Sequence, residues 1–136
     1  MTMTPYLMLD GCCESAFRFY ADCLGGRIGA LMRYAEAPPD AQLPHADPER
    51  VMHVRLEVAD WVLMGSDTPA GGTAPAGGVW LNLAVESPER AEAVFAALGQ
   101  AGEVQMPLQE TFWAERFGML VDRFGIPWMV SCEKEA

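Results

Sequence analysis

Residues 79–85, VWLNLAV, alternate Val79, Leu81, Leu83 and Val85 on one face with Trp80, Asn82 and Ala84 on the other. That period of two predicts a strand. Ser87 follows as an N-cap with Pro88 at the first helical position. Ala91, Val94, Phe95 and Leu98 then fall at i, i+3, i+4 and i+7, an apolar stripe closed by Gly99 and Gly102. Residues 4–28 read the same way: TPYLML, a short loop with Gly11, the helix ESAFRFYADCL, then Gly25 and Gly26.

The likeness is a repeat. An offset of 76 lays Leu7 on Leu83, Leu9 on Val85, Phe19 on Phe95, Gly26 on Gly102 and Ile28 on Val104. An offset of 65 lays VMHVRLEVADWVLMGS (51–66) over RFGMLVDRFGIPWMVS (116–131). It pairs Glu57 with Asp122, Asp60 with Gly125, Met64 with Met129 and Ser66 with Ser131. The offsets differ by an insertion in the first half, for which the Pro-rich PPDAQLPHADPE (38–49) is the natural place. Each half is therefore β-α-β-β-β, ending in a hairpin, and the fold class expected is α+β. The expected organisation is one domain over 1–136: module one at about 4–67, a Gly/Pro linker at 68–78, and module two at about 79–133. SDTPAGGTAPAGG (66–78) lacks the lysine of a phosphate loop and separates two strands instead of opening a helix. One helix per module covers one sheet face; the other face, with Tyr6 and Thr4 in the first module and Trp80 and Asn82 in the second, is expected to line a cup.

Charge and cysteine content narrow the partners. With 9 basic and 19 acidic residues the net charge is −10, which argues against nucleic acid or an anionic membrane surface. No run reaches the roughly 18 apolar residues of a membrane span, and MTMTPYLMLD has no basic leader pattern, so a cytoplasmic protein is expected. Cys12, Cys13, Cys23 and Cys132 fit neither a zinc nor a redox spacing and are expected to be free thiols, with Cys12 and Cys13 as small packing residues.

TPYL, AFRFYADCLGG, VMH with VLMGSD and, above all, MPLQETFWAERFGMLVDRFGIPWMV resemble the vicinal-oxygen-chelate superfamily. That superfamily includes glyoxalase I, bleomycin-resistance proteins and extradiol dioxygenases, and the resemblance, from about Thr4 to Ser131, is to its PhnB-like branch. It implies paired β-α-β-β-β modules forming a cupped mixed sheet with helices outside. Members of this branch are often labelled demethylubiquinone methyltransferases; no glycine-rich strand-to-helix turn is available here for S-adenosylmethionine. In enzymes of the superfamily, ligands on the first and last strand of each module hold a divalent metal. By position these fall at or beside Thr4, Trp80, Met64 and Met129, none of them His, Asp or Glu. Trp has no free lone pair and thioethers prefer soft ions, so the expectation is no metal and no other cofactor.

The remaining candidates are polar groups beside apolar ones. His53, Arg55 and Glu57 share the face of their strand opposite Val54, Leu56 and Val58. His53 reads as a structural histidine or a general base; it and Glu57 lie ~13 Å apart on a strand and cannot share an ion without other ligands. His45 is expected in solvent. Gln109 and Glu110, next to Trp113, read equally as a satisfied loop-edge pair or as a pocket edge, where an apolar setting would raise the proton affinity of Glu110. Arg116, Asp122 and Arg123 are expected as surface pairs. The first reading is a small-molecule binding protein, with Tyr6, Met64, Trp80, Asn82, Trp113 and Met129 lining a cavity and His53, Gln109 and Glu110 orienting the ligand. The alternatives are a lyase, isomerase or dioxygenase with a displaced metal site using His53 with Glu110 or Glu57, and a protein that sequesters a drug-like compound. A homodimer is expected from the fold.

Overall fold

The structure is a computed structural model that describes residues 1–72 and 77–134. The chain divides into two compact units, Met1–Pro75 and Ala76–Ala136. Part of the expected linker, residues 73–76, lies outside the described residues.

In the first unit β1 (Tyr6–Leu9) leads into α1 (Cys13–Leu24), β2 (Arg27–Arg33), two single 3-10 turns, β3 (Val51–Val58) and β4 (Trp61–Asp67). The second unit repeats this as β5 (Leu81–Ala84), α2 (Pro88–Leu98), β6 (Glu103–Gln109), β7 (Ala114–Val121) and β8 (Pro127–Glu133). The sheet orders are β1-β4-β3-β2 and β5-β8-β7-β6. The first strand of each unit runs parallel to the last, and the other pairs are antiparallel. Both expected β-α-β-β-β modules are thus present, as two four-stranded mixed sheets each bearing one helix.

The helices form where the apolar stripes placed them. Ala91, Val94, Phe95 and Leu98 are buried on α2, and Ser87 caps it by accepting the Arg90 N–H at 3.1 Å. On α1 the buried face is Cys13, Ala16, Phe17, Tyr20 and Leu24. Here no side chain of the chain segment itself caps the helix. The Cys13 N–H donates instead to Asp67 Oδ1 at 3.0 Å, at the far end of β4. Aromatic rings sit directly on glycine in both units. A Cβ on Gly65 would lie 2.7 Å from the Phe17 ring, and one on Gly118 would lie 2.7 Å from that of Phe95. The two halves therefore reach the same packing through non-equivalent positions, since the repeat pairs Phe95 with Phe19. Gly26 and Gly102 are equivalent in space as in sequence: a Cβ on either would come within 2.6 Å of the neighbouring strand, at Val58 or Val121.

Three expectations need correction. The strand expected over 79–85 is only Leu81–Ala84, Val79 is exposed and Trp80 precedes the strand. Its partner β8 begins at Pro127, which has no N–H to extend the ladder. The offset of 65 holds for β4 on β8 but is 64 for β3 on β7. Val54 stands opposite Gly65, whereas Gly118 stands opposite Val130. The first hairpin closes at Val58 and Trp61, and the second carries an extra residue in its turn. Glu57 thus corresponds to Val121, not Asp122, and His53 to Phe117. A slip of one residue changes the face on which every side chain of a strand lies.

The third correction is Asp122 itself, which is buried in its own hairpin at 4% exposure instead of lying at the surface. Its Oδ1 accepts the Phe124 and Ile126 N–H groups at 2.8 and 3.0 Å, and Oδ2 accepts Trp128 Nε1–H at 2.8 Å. Gly125, at φ 86°, makes the turn they enclose. Arg116 does pair at the surface, with Glu92 at 3.3 Å, and Arg123 Nε donates to the Gln100 carbonyl.

Two outcomes follow. Asp122→Ala orphans three donors, one on a buried tryptophan, and is expected to cost about 3 kcal/mol in a urea titration, whereas Asp60→Ala in the other hairpin is expected to change stability by less than about 0.5 kcal/mol. Glu14 joins α1 to β2 through Arg33 at 2.7 Å and also holds Arg18 at 2.8 Å. These guanidiniums, Arg33 foremost, hold its carboxyl below its ordinary value. A folded-state pKa that is depressed stabilises the fold above the ordinary carboxylate range and ceases to do so as the pH falls through it. Urea titrations should therefore find Glu14→Gln less stable than the parent at pH 7, with the gap closing towards pH 3.

Candidate functional site

In the first unit the helix covers Val54, Leu56 and Val58 of β3, leaving His53, Arg55 and Glu57 on the open face, as the alternation predicted. Pairing builds the rest of this face strand by strand. Met64 lies between Tyr6 on β1 and Arg55 on β3. Ser66 lies beside Met8, and Met32 on β2 beside His53. The Tyr6 side chain reaches across β4, bringing its hydroxyl to 3.2 Å from His53 Nδ1 with ring centroids 5.8 Å apart. The hydroxyl donates when Nδ1 is bare and accepts when Nδ1 carries the proton. Next to it Ser66 Oγ–H donates to Met8 Sδ at 3.1 Å. Ser66 is on the open face yet only 4% exposed.

Glu57 is not free to join His53. It holds Arg27 at 2.8 Å and Arg55 at 3.6 Å. The displaced metal site that would combine His53 with Glu57 is therefore not assembled here. His45 is exposed, as expected.

In the second unit Asn82 stands opposite Met129, and its Oδ1 accepts from Ser131 Oγ at 3.2 Å. Met119 pairs with Met129 and Phe117 with Ser131, so the open face continues as thioether and aromatic. Trp113, 48% exposed, extends it: its ring lies 4.8 Å from Phe112 and 5.5 Å from Phe117. Gln109, exposed at the end of β6, is paired with Phe117. Glu110 fits the pocket-edge reading poorly. Its side chain is 67% exposed and lies 3.4 Å from Lys134 Nζ, an ion pair in solvent and not a group in an apolar pocket.

The positions facing the two methionines across the parallel pairs are Tyr6 and Asn82, one strand in each unit. Thr4 and Trp80, where the resemblance placed metal ligands, both precede their strands. Within each unit, a phenol beside a thioether in the first and an amide beside a thioether in the second make a poor set for a hard divalent ion, which wants carboxylate and imidazole. Among the described residues no group of three or more His, Cys, Asp or Glu could hold a metal.

Several features had weak or no sequence signal. Asp67 is 2% exposed and accepts the Cys13 and Val51 N–H groups on its two oxygens, each at 3.0 Å, while its carbonyl accepts the Tyr34 hydroxyl at 2.8 Å. The clue was its place in the alternation of β4, where it follows Leu63 and Gly65 onto the helix-facing side. Burial and the Asp67 charge push the Cys12 and Cys13 thiols upward, the opposite of an activated nucleophile, which agrees with a packing role. Met8 and Ser66 could have been found from the same alternation that marks Tyr6 and Met64. A cleft of 550 Å³ beneath the Pro-rich insertion, lined by Tyr34, Pro39, Gln42, Leu43, Pro44 and Pro48 among others, was not foreseen.

Comparison with known proteins places this geometry. The family model for 3-demethylubiquinone-9 3-methyltransferase matches residues 1–131. Protein YjdN of Escherichia coli is 31% identical over 99% of this chain and 97% of its own length. The crystal structure of protein PA1353 from Pseudomonas aeruginosa is 41% identical, covers 99% of both chains and superposes with a TM-score of 0.89. The PhnB protein from Bacillus cereus, described as a 3-demethylubiquinone-9 3-methyltransferase, is 25% identical over 97% of this chain and 99% of its own, with a TM-score of 0.81. A glyoxylase/bleomycin resistance protein/dioxygenase domain from Frankia, at 16% identity and a TM-score of 0.67 over 98% of each chain, shares the fold alone. The chain therefore belongs to the 3-demethylubiquinone-9 3-methyltransferase family, to which the PhnB protein of Bacillus cereus is also related.

Proposed function

We propose that this protein binds a small, largely apolar molecule with an aromatic ring and a hydrogen-bonding oxygen, without a hard metal ion. The observation that carries the reading is the matched pair on the two open faces: Tyr6 against Met64, and Asn82 against Met129. Each sets one hydrogen-bonding group beside a polarizable thioether, and a thioether adapts to ligand shape. Apolar and aromatic lining with a few placed polar groups is the usual make-up of a small-molecule site. On the second unit's face Trp113 with Phe117 supplies aromatic wall, Gln109 an orienting group and Glu110 a solvated rim, with Trp80 just before β5; on the first unit's face His53 and Tyr6 supply the orienting groups.

We further propose a homodimer in the cytoplasm. The long run of exposed residues on the edge strand β6 supports pairing. No disulfide joins the four cysteines, and no helix among the described residues is long and apolar enough to cross a membrane.

A thermal-shift screen of planar aromatic compounds bearing a carbonyl or hydroxyl tests the binding reading. A ligand at 100 times its dissociation constant is expected to add about 2.7 kcal/mol of stability. Trp113→Ala, for a ligand on the second unit's face, or His53→Ala, for one on the first unit's face, is expected to weaken that ligand about tenfold, or about 1.4 kcal/mol, while Mn(II), Ni(II) and Zn(II) leave its affinity unchanged. Failure of every aromatic compound to raise the melting temperature, or an absolute requirement for one of these ions, would overturn it.

A further inference from the structure

We propose that the open face of the first unit carries a binding site for a soft monovalent cation, Cu(I) or Ag(I), built from Met8 Sδ, Met64 Sδ and His53 Nε2. The site goes beyond the small-molecule reading, which needs no ion. Met8 stands opposite Ser66, and Met64 sits two residues earlier on the same strand and face. Arg55 stands opposite Met64, which puts His53 two residues along on the other side. Strand spacing and rise place the backbones of Met8 and His53 each about 8 Å from that of Met64. Long, flexible side chains can close that gap onto one ion.

Two contacts show where two of these side chains lie. Ser66 lies in the middle of the three and is nearly sealed from solvent although no helix covers it. Its hydroxyl uses one lone pair of Met8 Sδ, leaving the second for an ion. Tyr6 occupies His53 Nδ1, so the ring's remaining nitrogen is Nε2. An imidazole ligated through one nitrogen and tied through the other is the usual arrangement of a metal-bound histidine. Thioether and imidazole donors without a carboxylate select a soft d¹⁰ ion over hard divalent ones. The nearest cationic side chain, Arg55, has Glu57 at 3.6 Å to offset it.

The second unit lacks this set. Ala84 stands opposite Ser131 where the first unit has Met8 opposite Ser66, and Phe117 takes the place of His53. Met129 is thus an internal control.

Silver(I), redox-inert and added as nitrate in chloride-free buffer, is the probe, followed by NMR of methionine ¹³C-methyl groups in the full chain. One equivalent is expected to move the methyl signals of Met8 and Met64 and leave those of Met119 and Met129 in place. Zn(II) is expected to move none of them. Met64→Leu and His53→Ala should each weaken Ag(I) at least tenfold in a competition titration, and Met129→Leu should leave it within twofold. Methyl spectra of the ion-free variants check that each is folded. Silver bound with the Met8 and Met64 signals unmoved, as binding at the thiols would give, overturns the proposal. So does an affinity unchanged in Met64→Leu.

Discussion

A carboxylate taken out of water has to be met by donors, and in the first unit Asp67 is met by two backbone N–H groups that belong to different elements. One is the first residue of α1 and the other the first residue of β3, so a single side chain pins a helix start and a strand start to the end of β4. The same residue's carbonyl anchors Tyr34, just past β2. Four elements of the unit thus meet at one position. The register of β1 on β4, and with it the placing of Tyr6 over Met64 and towards His53, depends on α1 entering at that point. The second unit solves the problem locally, with Ser87 at its helix start, and the position that repeats Asp67 is Cys132.

The fold was legible because it rests on local periodicity. Ala91, Val94, Phe95 and Leu98 could be read as a helix face without knowing what lies beneath them, and the two β-α-β-β-β modules emerged from matching such faces. What local pattern could not give was the count of residues in a turn. The hairpin after β7 and the one after β3 differ by one residue, and the sequence offset of 65 absorbed that difference silently. Only the pairing of Gly118 with Val130 exposes it.

Less of the candidate site was legible, for a related reason. His53 and Asn82 were placed on the right faces by alternation, and Met64 and Met129 by the positions the resemblance implied. Their partners were not predictable, since Tyr6 reaches His53 across an intervening strand and Asn82 meets Ser131 through a parallel pair 49 residues away in sequence. For Glu110 the sequence left open a pocket edge and a satisfied loop-edge pair, because aromatic neighbours in sequence do not say what surrounds a side chain. Phe112 and Trp113 lie against each other and Phe117 instead, leaving the carboxylate to Lys134. Asp122 was misjudged: a charged residue in a hairpin turn suggested the surface, and the turn's own N–H groups drew it inward.

The methionines of the first unit's open face carry a liability that their packing conceals. Met8 is 49% and Met32 41% exposed, so both sulfurs are open to peroxide. Oxidation to the sulfoxide turns a pliable apolar group into a polar, chiral one, and methionine sulfoxide reductases restore it. At Met8 the new oxygen would become the acceptor for the Ser66 hydroxyl and displace the sulfur from its present contact. The face would then change from apolar to polar without any change in the fold beneath it, which makes its surface chemistry a function of oxidant exposure.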